Sequence, residues 1–255
     1  MNGMEVMKMS KFFVTSDIHS FYTPLKKALE EAGFDPSNEE HWLIVCGDCF
    51  DRGDESEEVL HFLMSLERKI LVKGNHDTLL EDCCMREFPY SHDASNGTYR
   101  TIQDLGGGIY RRSFAECCCR TWDKLARYRE LLVNYFETQN YIFVHSWIPT
   151  ISQNGGYYKY DENWRDATDD RWEQAMWGNP FDRHFEGLNQ TGKTIVFGHW
   201  NCSAGHKMLG RSNDEFGENA IWEPCYVEGI IGIDRCTAHT GEANVVVVED
   251  EFLEE

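Results

Sequence analysis

The sequence is poor in proline and in positive charge. Only 6 prolines are scattered over 255 residues, and there is no Pro/Ser-rich stretch, low-complexity tract or fixed-period repeat. That excludes a long extended linker and a solenoid, and the length suits one sizeable α/β domain over residues 1–255. Lys and Arg number 24 against 44 Asp and Glu, for a net charge of -20. A surface of that sign repels phosphate backbones, so neither duplex nucleic acid nor an anionic membrane is expected as a partner. No apolar run approaches the roughly 20 residues that a membrane helix needs. No secretory signal precedes the first apolar segment, so a cytoplasmic protein is expected. Met1, Met4, Met7 and Met9 read as a flexible leader.

Cysteine is plentiful, but cysteine pattern is lacking. Ten cysteines in a cytoplasmic chain are expected to be reduced. Cys46 and Cys49 make a C-x-x-C by spacing alone, and Cys83-Cys84 and Cys117-Cys118-Cys119 have no metal-ligand spacing, so core thiols are the simplest reading. Gly106-Gly107-Gly108 has neither the lysine nor the hydroxyl of a phosphate loop and reads as a helix C-cap with a flexible loop.

What the sequence does have is one arrangement five times over. His41-Trp42-Leu43-Ile44-Val45-Cys46 reads as a buried strand and leads into Gly47-Asp48-Cys49-Phe50-Asp51-Arg52-Gly53. An amphipathic helix follows, with Val59, Leu60, Phe62, Leu63 and Leu66 on its apolar face. Phe12-Phe13-Val14-Thr15 leads into Ser16-Asp17-Ile18-His19, and Ile70-Leu71-Val72 into Lys73-Gly74-Asn75-His76-Asp77. Tyr141 to Val144 ends in His145, and Thr194 to Phe197 in Gly198-His199. A parallel or mixed sheet brings strand ends to one edge, where such groups converge. Two Asp, one Asn and three His form a mixed oxygen and nitrogen set for two divalent transition ions, with no thiolate of the kind a structural zinc site would show. The ions would also reverse the local sign of an acidic protein that handles phosphate.

Ser16-Asp17-Ile18-His19-Ser20, the GDCFDRG stretch, Gly74-Asn75-His76-Asp77, His145 and Gly198-His199 resemble the phosphoprotein phosphatase branch of the calcineurin-like metallophosphoesterases, in the family's order from about residue 11 to residue 200. The resemblance implies an α/β fold of central β-sheets sandwiched by helices, four layers deep in the order αββα. It departs at Ser16 and Ser20, where the family has Gly, at Asp77 in place of Glu, at Ser146-Trp147, and at Trp200. All six ligand positions are retained. The family pattern assigns Asp17, His19 and Asp48 to one ion, and Asp48, Asn75, His145 and His199 to the other, with Asp48 bridging. Manganese is the leading choice, with iron, zinc and nickel also compatible. A hydroxide shared by the ions would attack phosphorus. Arg52, with Asn75, would hold phosphate, His76 would protonate the leaving group, and Asp51 would orient His76. His41, His61, His92, His184, His206 and His239 read as ordinary surface or core histidines.

Outside the motifs, Tyr22 to Ala32 reads as a helix entered through Thr23-Pro24 and closed by Gly33. Strand three is expected to end at Asn75. A short helix is expected from Asn96-Gly97-Thr98 to Leu105, and a further helix over about Phe114 to Tyr128. Glu130 to Glu137 and Asn140 to His145 read as an antiparallel pair, and Gly229 to Asp234 and Val245 to Glu249 as the last strands. Residues 146–193 form an insertion with no strong strand but with Trp147, Trp164, Trp172, Trp177, Tyr157, Tyr158 and Tyr160. These rings are either a canopy over the substrate or the packing of the insertion itself. Met176-Trp177-Gly178-Asn179-Pro180 resembles the family stretch that precedes a second phosphate-binding arginine; Arg183 is the nearest candidate, with Arg171 and Arg165 as rivals.

The first expectation for function is therefore a serine/threonine protein phosphatase acting on phosphomonoesters in a phosphorylated protein or peptide. The alternative is a dinucleoside polyphosphate (diadenosine tetraphosphate) hydrolase, whose nucleotide bases the aromatic insertion could stack. The remote alternative is a non-catalytic, metal-stabilised binding module, against which Arg52 and His76 argue.

Overall fold

In the computed structural model, which describes residues 9–108, 111–154 and 156–253, the strand-forming runs assemble into two five-stranded sheets. Met1, Met4 and Met7 lie outside those residues, as do Gly155 of the insertion and Glu254 and Glu255 of the acidic end. In the first sheet, β1 (Ser10–Thr15), β2 (His41–Cys46), β3 (Lys69–Val72) and β4 (Leu132–Val133) run parallel, and β12 (Val246–Asp250) lies antiparallel against β1. In the second, β11 (Ile230–Gly232), β9 (Thr194–Phe197) and β6 (Tyr141–Val144) run parallel, flanked antiparallel by β10 (Cys225–Val227) and β5 (Phe136–Glu137).

The period of two along each strand decides the layers. Phe13, Leu43, Val45 and Leu71 point away from the second sheet and pack with Leu25, Leu29, Val59, Leu63, Leu80 and Ile102 of the covering helices. Their neighbours Phe12, Val14, Ile44 and Cys46 point the other way and meet Phe143, Val196, Ile231, Val246 and Val248 between the sheets. On the far side, Ile142, Val144, Ile195 and Phe197 pack with Trp147, Trp164, Trp172 and Phe181. Strands buried on both faces have no use for polar residues, which is why they read as continuous apolar runs. The result is the four-layer order of helices, sheet, sheet, helices. No helix among the described residues is long and apolar enough to cross a membrane.

Several local expectations need correction. Glu130 to Glu137 is not one strand: β4 joins the first sheet and β5 the second, so this stretch is where the chain changes sheets. Strand three stops at Val72, three residues before Asn75, because Asn75 already opens the helix Asn75–Arg86. The expected helix over Phe114 to Tyr128 is two, Phe114–Lys124 and Ala126–Glu130, broken at Leu125. Thr23 does not cap its helix: Phe21 stands at the cap, and the Thr23 amide donates instead to Glu55 at 3.0 Å. The Gly33 C-cap is left-handed, φ 82°, as a glycine there permits. Within the insertion, β7 (Thr150–Ser152) and β8 (Tyr158–Tyr160) form a small hairpin, followed by the helices Asp169–Ala175 and Pro180–Phe185.

Candidate metal centre

Three of the ligand candidates stand two residues beyond a strand end: Asp17 after β1, Asp48 after β2 and His199 after β9. All three have left-handed backbones, with φ of 50°, 53° and 61°. Side-chain-bearing residues rarely adopt this region, and holding one there costs on the order of 1–3 kcal/mol. His19, Ser20, Asp51 and Arg52 are held in the same way, so these turns contain seven of the nine non-glycine residues with positive φ among those described. Strain is thus concentrated where the polar side chains converge. The turns brace one another: the His19 amide donates to the Asp48 carbonyl and the Ser20 amide to the Cys49 carbonyl, both at 2.9 Å. The motif glycines make room. A Cβ at Gly74 would lie 2.2 Å from Asp48 Oδ1, and one at Gly198 would lie 2.2 Å from Asp17 Oδ2.

Asp48 sits at the centre and presents its two oxygens to different neighbours. Oδ2 is 3.7 Å from His19 Nε2, and Oδ1 is 3.5 Å from His145 Nε2. Asp17 Oδ1 is 3.9 Å from His19 Nε2, and Asp17 Oδ2 accepts the His199 amide at 2.9 Å. Asn75 Oδ1 lies 2.7 Å from His145 Nε2, and the His145 and His199 rings are 4.9 Å apart. Two groups, His19/Asp48/His76 and Asp48/His145/His199, each bring their ligand atoms within 4.8 Å of one another. All six expected ligand residues therefore meet at one edge of the two sheets.

The residues fit two divalent cations. His19 Nδ1 faces the Phe50 carbonyl and His145 Nδ1 the Cys46 carbonyl, each at 2.9 Å. A carbonyl only accepts, so both Nδ1 atoms carry the proton and both Nε2 lone pairs are left for a metal. Burial pushes His19 well below its ordinary pKa and His199 down to about 3, which keeps both rings neutral, the form that ligates. Burial also raises Asp17, and the neighbouring Asp48 adds to that effect. Asp234 is raised further, by burial first and by Asp17 second. Three carboxylates crowded out of water carry a large desolvation cost until cations neutralise them. The oxygen and nitrogen donors suit manganese, iron, zinc or nickel.

Beside this centre, His76 Nδ1 donates to Asp51 Oδ2 at 2.7 Å. Asp51 is fully buried and also receives the hydroxyls of Thr98, at 2.6 Å, and Thr101, at 2.9 Å. Arg52, at the exposed mouth, places Nη2 3.3 Å from His76 Nε2. Burial lowers the His76 pKa, but Asp48 and Asp51 together outweigh it and the net shift is upward. His76 lies within ligand range of Asp48, at 4.0 Å, yet the arginine against its Nε2 would repel a cation there. The Asp77 carboxylate, where the resembled family has Glu, accepts the Gly74 amide and the Tyr128 hydroxyl, both at 2.8 Å, and so closes the helix start.

Arg183 is not in the cleft. It stacks 3.4 Å above the Tyr158 ring and lines a neighbouring cavity. Arg171 is bound to Asp161 at 2.6 Å, and Arg165 forks onto Glu137 at 2.8 and 2.6 Å, so neither rival is free. Trp147, Trp164 and Trp172 are buried core, so the packing reading holds for them; Trp177 alone of the insertion's tryptophans lines the cleft. All ten cysteines are free thiols, and Cys46 and Cys49 are buried beside Asp48 with their thiol pKa values raised by burial. None of the six histidines set aside joins the centre. Asp234, read from the sequence as the end of a strand over Gly229 to Asp234, lies outside it: β11 covers Ile230–Gly232, and Asp234 stands two residues beyond in the cleft lining, the spacing of Asp17, Asp48 and His199. A larger cavity, 1030 Å³, lies near β4 and β5, away from this chemistry, and closed pairs such as Lys73–Glu81 take up its charges.

A family model described as calcineurin-like phosphoesterase matches residues 10–240. A symmetrical bis(5'-nucleosyl)-tetraphosphatase of Pseudomonas fluorescens is 32% identical over 142 residues, 54% of this chain and 43% of that protein. Another, of Thioalkalivibrio sulfidiphilus, is 42% identical over 66 residues, 26% of this chain and 24% of that protein. The chain thus spans from about a quarter to under a half of the length of these curated relatives. A solved structure given as a candidate diadenosine tetraphosphatase superposes with a TM-score of 0.50 at 17% identity, covering 96% of this chain and 95% of the other, a likeness of fold.

Proposed function

The chain belongs to the calcineurin-like phosphoesterases, and from that premise we propose that it hydrolyses dinucleoside tetraphosphates symmetrically, adding water across the central anhydride to release two nucleoside diphosphates. This reverses the order expected from the sequence, where a serine/threonine protein phosphatase stood first. The observation that carries the reading is the 142-residue stretch shared at 32% identity with a symmetrical bis(5'-nucleosyl)-tetraphosphatase. The phosphoprotein reading rests on the resemblance of the motifs alone.

In this proposal Asp17, His19, Asp48, Asn75, His145 and His199 would hold two divalent ions, Asp48 being common to the two groups of donors. When bound, the ions supply the Lewis acidity that makes water nucleophilic near neutral pH and offset the charge of the phosphates. The chain's own residues do the rest. Arg52 takes a non-bridging phosphate oxygen with its paired donors. In doing so it leaves His76 Nε2, to which it now points at 3.3 Å. Nε2 is then free to carry a proton to the leaving oxygen, while Asp51 steadies the positive ring through Nδ1 at 2.7 Å. Thr98 and Thr101 hold the Asp51 carboxylate in place.

The test is a metal-supplemented panel of diadenosine tetraphosphate, a phosphoserine peptide and p-nitrophenyl phosphate. Diadenosine tetraphosphate should give the highest kcat/KM, with ADP as the only nucleotide product. Release of ATP and AMP would reject the symmetrical cut, and a higher kcat/KM on the phosphopeptide would restore the protein phosphatase reading.

A further inference from the structure

Next to the metal cleft is a second cavity that the chemistry so far leaves unused. The cleft has a volume of 180 Å³, room for phosphate but not for a nucleoside, whereas the second cavity measures 690 Å³. That size is ordinary for a pocket that takes a whole small molecule. One residue lines both spaces: Trp177. We propose that the second cavity is a nucleobase subsite, which takes one purine of a dinucleoside polyphosphate while the phosphates lie at the metal centre. The inference rests on the tetraphosphatase reading above and adds where the base goes.

The walls have the chemistry a purine needs. Trp177 is half exposed and stands edge-to-face with His199, ring centres 6.2 Å apart, so one side of the indole belongs to the cleft and the rest is open. Its place is fixed relative to the metal ligands. The Ser146 hydroxyl donates to the Gly178 carbonyl at 2.7 Å, and Ser146 directly follows His145. Tyr158, on β8, is a second aromatic wall: the Arg183 guanidinium covers one face of its ring at 3.4 Å and leaves the other face for a base. Aromatic faces stack any base, because every base has a π-face.

The cavity also has an underused donor. Among the described residues the Arg183 guanidinium has one other polar contact, Glu186 at 3.4 Å, and the ring nitrogens of a purine are acceptors for its remaining N–H groups. The lining arginine beside it, Arg171, is already committed to Asp161. Gln174 adds an amide that can both donate and accept. The arginine expected from the sequence to bind phosphate at the metals is thus placed one aromatic side chain away, where it serves the far end of a longer substrate.

The test uses the metal-loaded full chain and two variants, Tyr158→Leu and Arg183→Leu. For each, KM is measured for diadenosine tetraphosphate and for p-nitrophenyl phosphate, and adenosine binding is measured by calorimetry. The ratio of the two KM values should rise roughly 5- to 150-fold in Tyr158→Leu, the range that stacking one base on an aromatic ring supplies, and adenosine binding should weaken by a similar factor. Arg183→Leu gives the same reading if Tyr158→Leu does not fold. An unchanged ratio with active parent enzyme overturns the subsite while the tetraphosphatase reading stands. If the parent fails to hydrolyse diadenosine tetraphosphate, that reading falls. Calorimetry then decides the cavity alone: adenosine binding weakened by the variants sustains it, and absence of binding overturns it.

Discussion

Replacing His76 by Asn tests the proton donor through the leaving group rather than through overall rate. Protonation of the leaving oxygen matters in proportion to its basicity. The alkoxide of serine is a very poor leaving group, whereas the terminal oxygen of a nucleoside diphosphate belongs to a phosphate whose second pKa is about 6. His76→Asn should therefore cost roughly 10²–10⁴-fold in kcat on a phosphoserine peptide, the usual range for a positioned acid, or about 2.7–5.5 kcal/mol. Diadenosine tetraphosphate and p-nitrophenyl phosphate should lose far less. Asp51→Asn should follow the same order with a smaller loss. The amide can turn its oxygen to His76 and its NH2 to the Thr101 hydroxyl, because that hydroxyl, now 2.9 Å away, can accept. What is lost is the charge on the acceptor, worth about 1–2 kcal/mol from the difference between charged and neutral hydrogen bonds, or roughly 5- to 30-fold. The double variant should lose little more than His76→Asn alone, because the pair acts as a unit. The assay is kcat on the three substrates, with metal content measured alongside. Equal losses on all three, or metal loss in His76→Asn, would refute the assignment and make His76 a ligand or a structural residue.

Asp48→Asn should reduce bound metal from two ions per chain, read by elemental analysis, since both groups share that carboxylate. Arg52→Ala should keep its melting temperature, because the side chain lies exposed at the mouth, but lose about 2–4 kcal/mol at the transition state in kcat/KM, the scale of one lost charge-stabilising donor. Chelation should lower the melting temperature: cations at about 100 times their Kd contribute about 2.7 kcal/mol per site, roughly 5–10 °C for a chain of this size. Gly198→Ala should lose metal while keeping its circular dichroism spectrum, since the new methyl would meet Asp17 Oδ2 at 2.2 Å.

The sequence made the centre legible because each ligand follows an apolar run, and a run buried on both faces can hardly be anything but a strand in a layered fold. The geometry of the turns was hidden. Nothing in Asp17 or Asp48 announces a left-handed backbone, because the neighbouring strand ends impose it. The break between β4 and β5 was hidden for a related reason: Leu132-Val133 and Phe136 are equally apolar, and which sheet each joins is set by partners far away in the chain. Trp147 and Trp177 read alike in sequence, yet one is core and the other stands in the open, because composition marks a ring as useful without saying which side of the sheet it lands on. Asp234 was missed because its strand was read two residues too long: with the end at Gly232, Asp234 falls at the spacing of the other groups beyond strand ends.

The centre draws Asp17, His19, Asp48 and Asn75 from one sheet and His145, His199 and Asp234 from the other. It is therefore a rivet across a seam. The hydrogen bond from His145 to the Cys46 carbonyl crosses the same seam, and behind it Phe12, Ile44, Phe143 and Val196 fill the gap. The separation of donor atoms contributed from the two sides is set by how closely the sheets lie, so apolar packing is the ruler for the donor set. A methyl group gained or lost at Val196 touches none of these side chains, yet it would alter their separation across the seam, and metal affinity would become a gauge of a core that never meets the substrate.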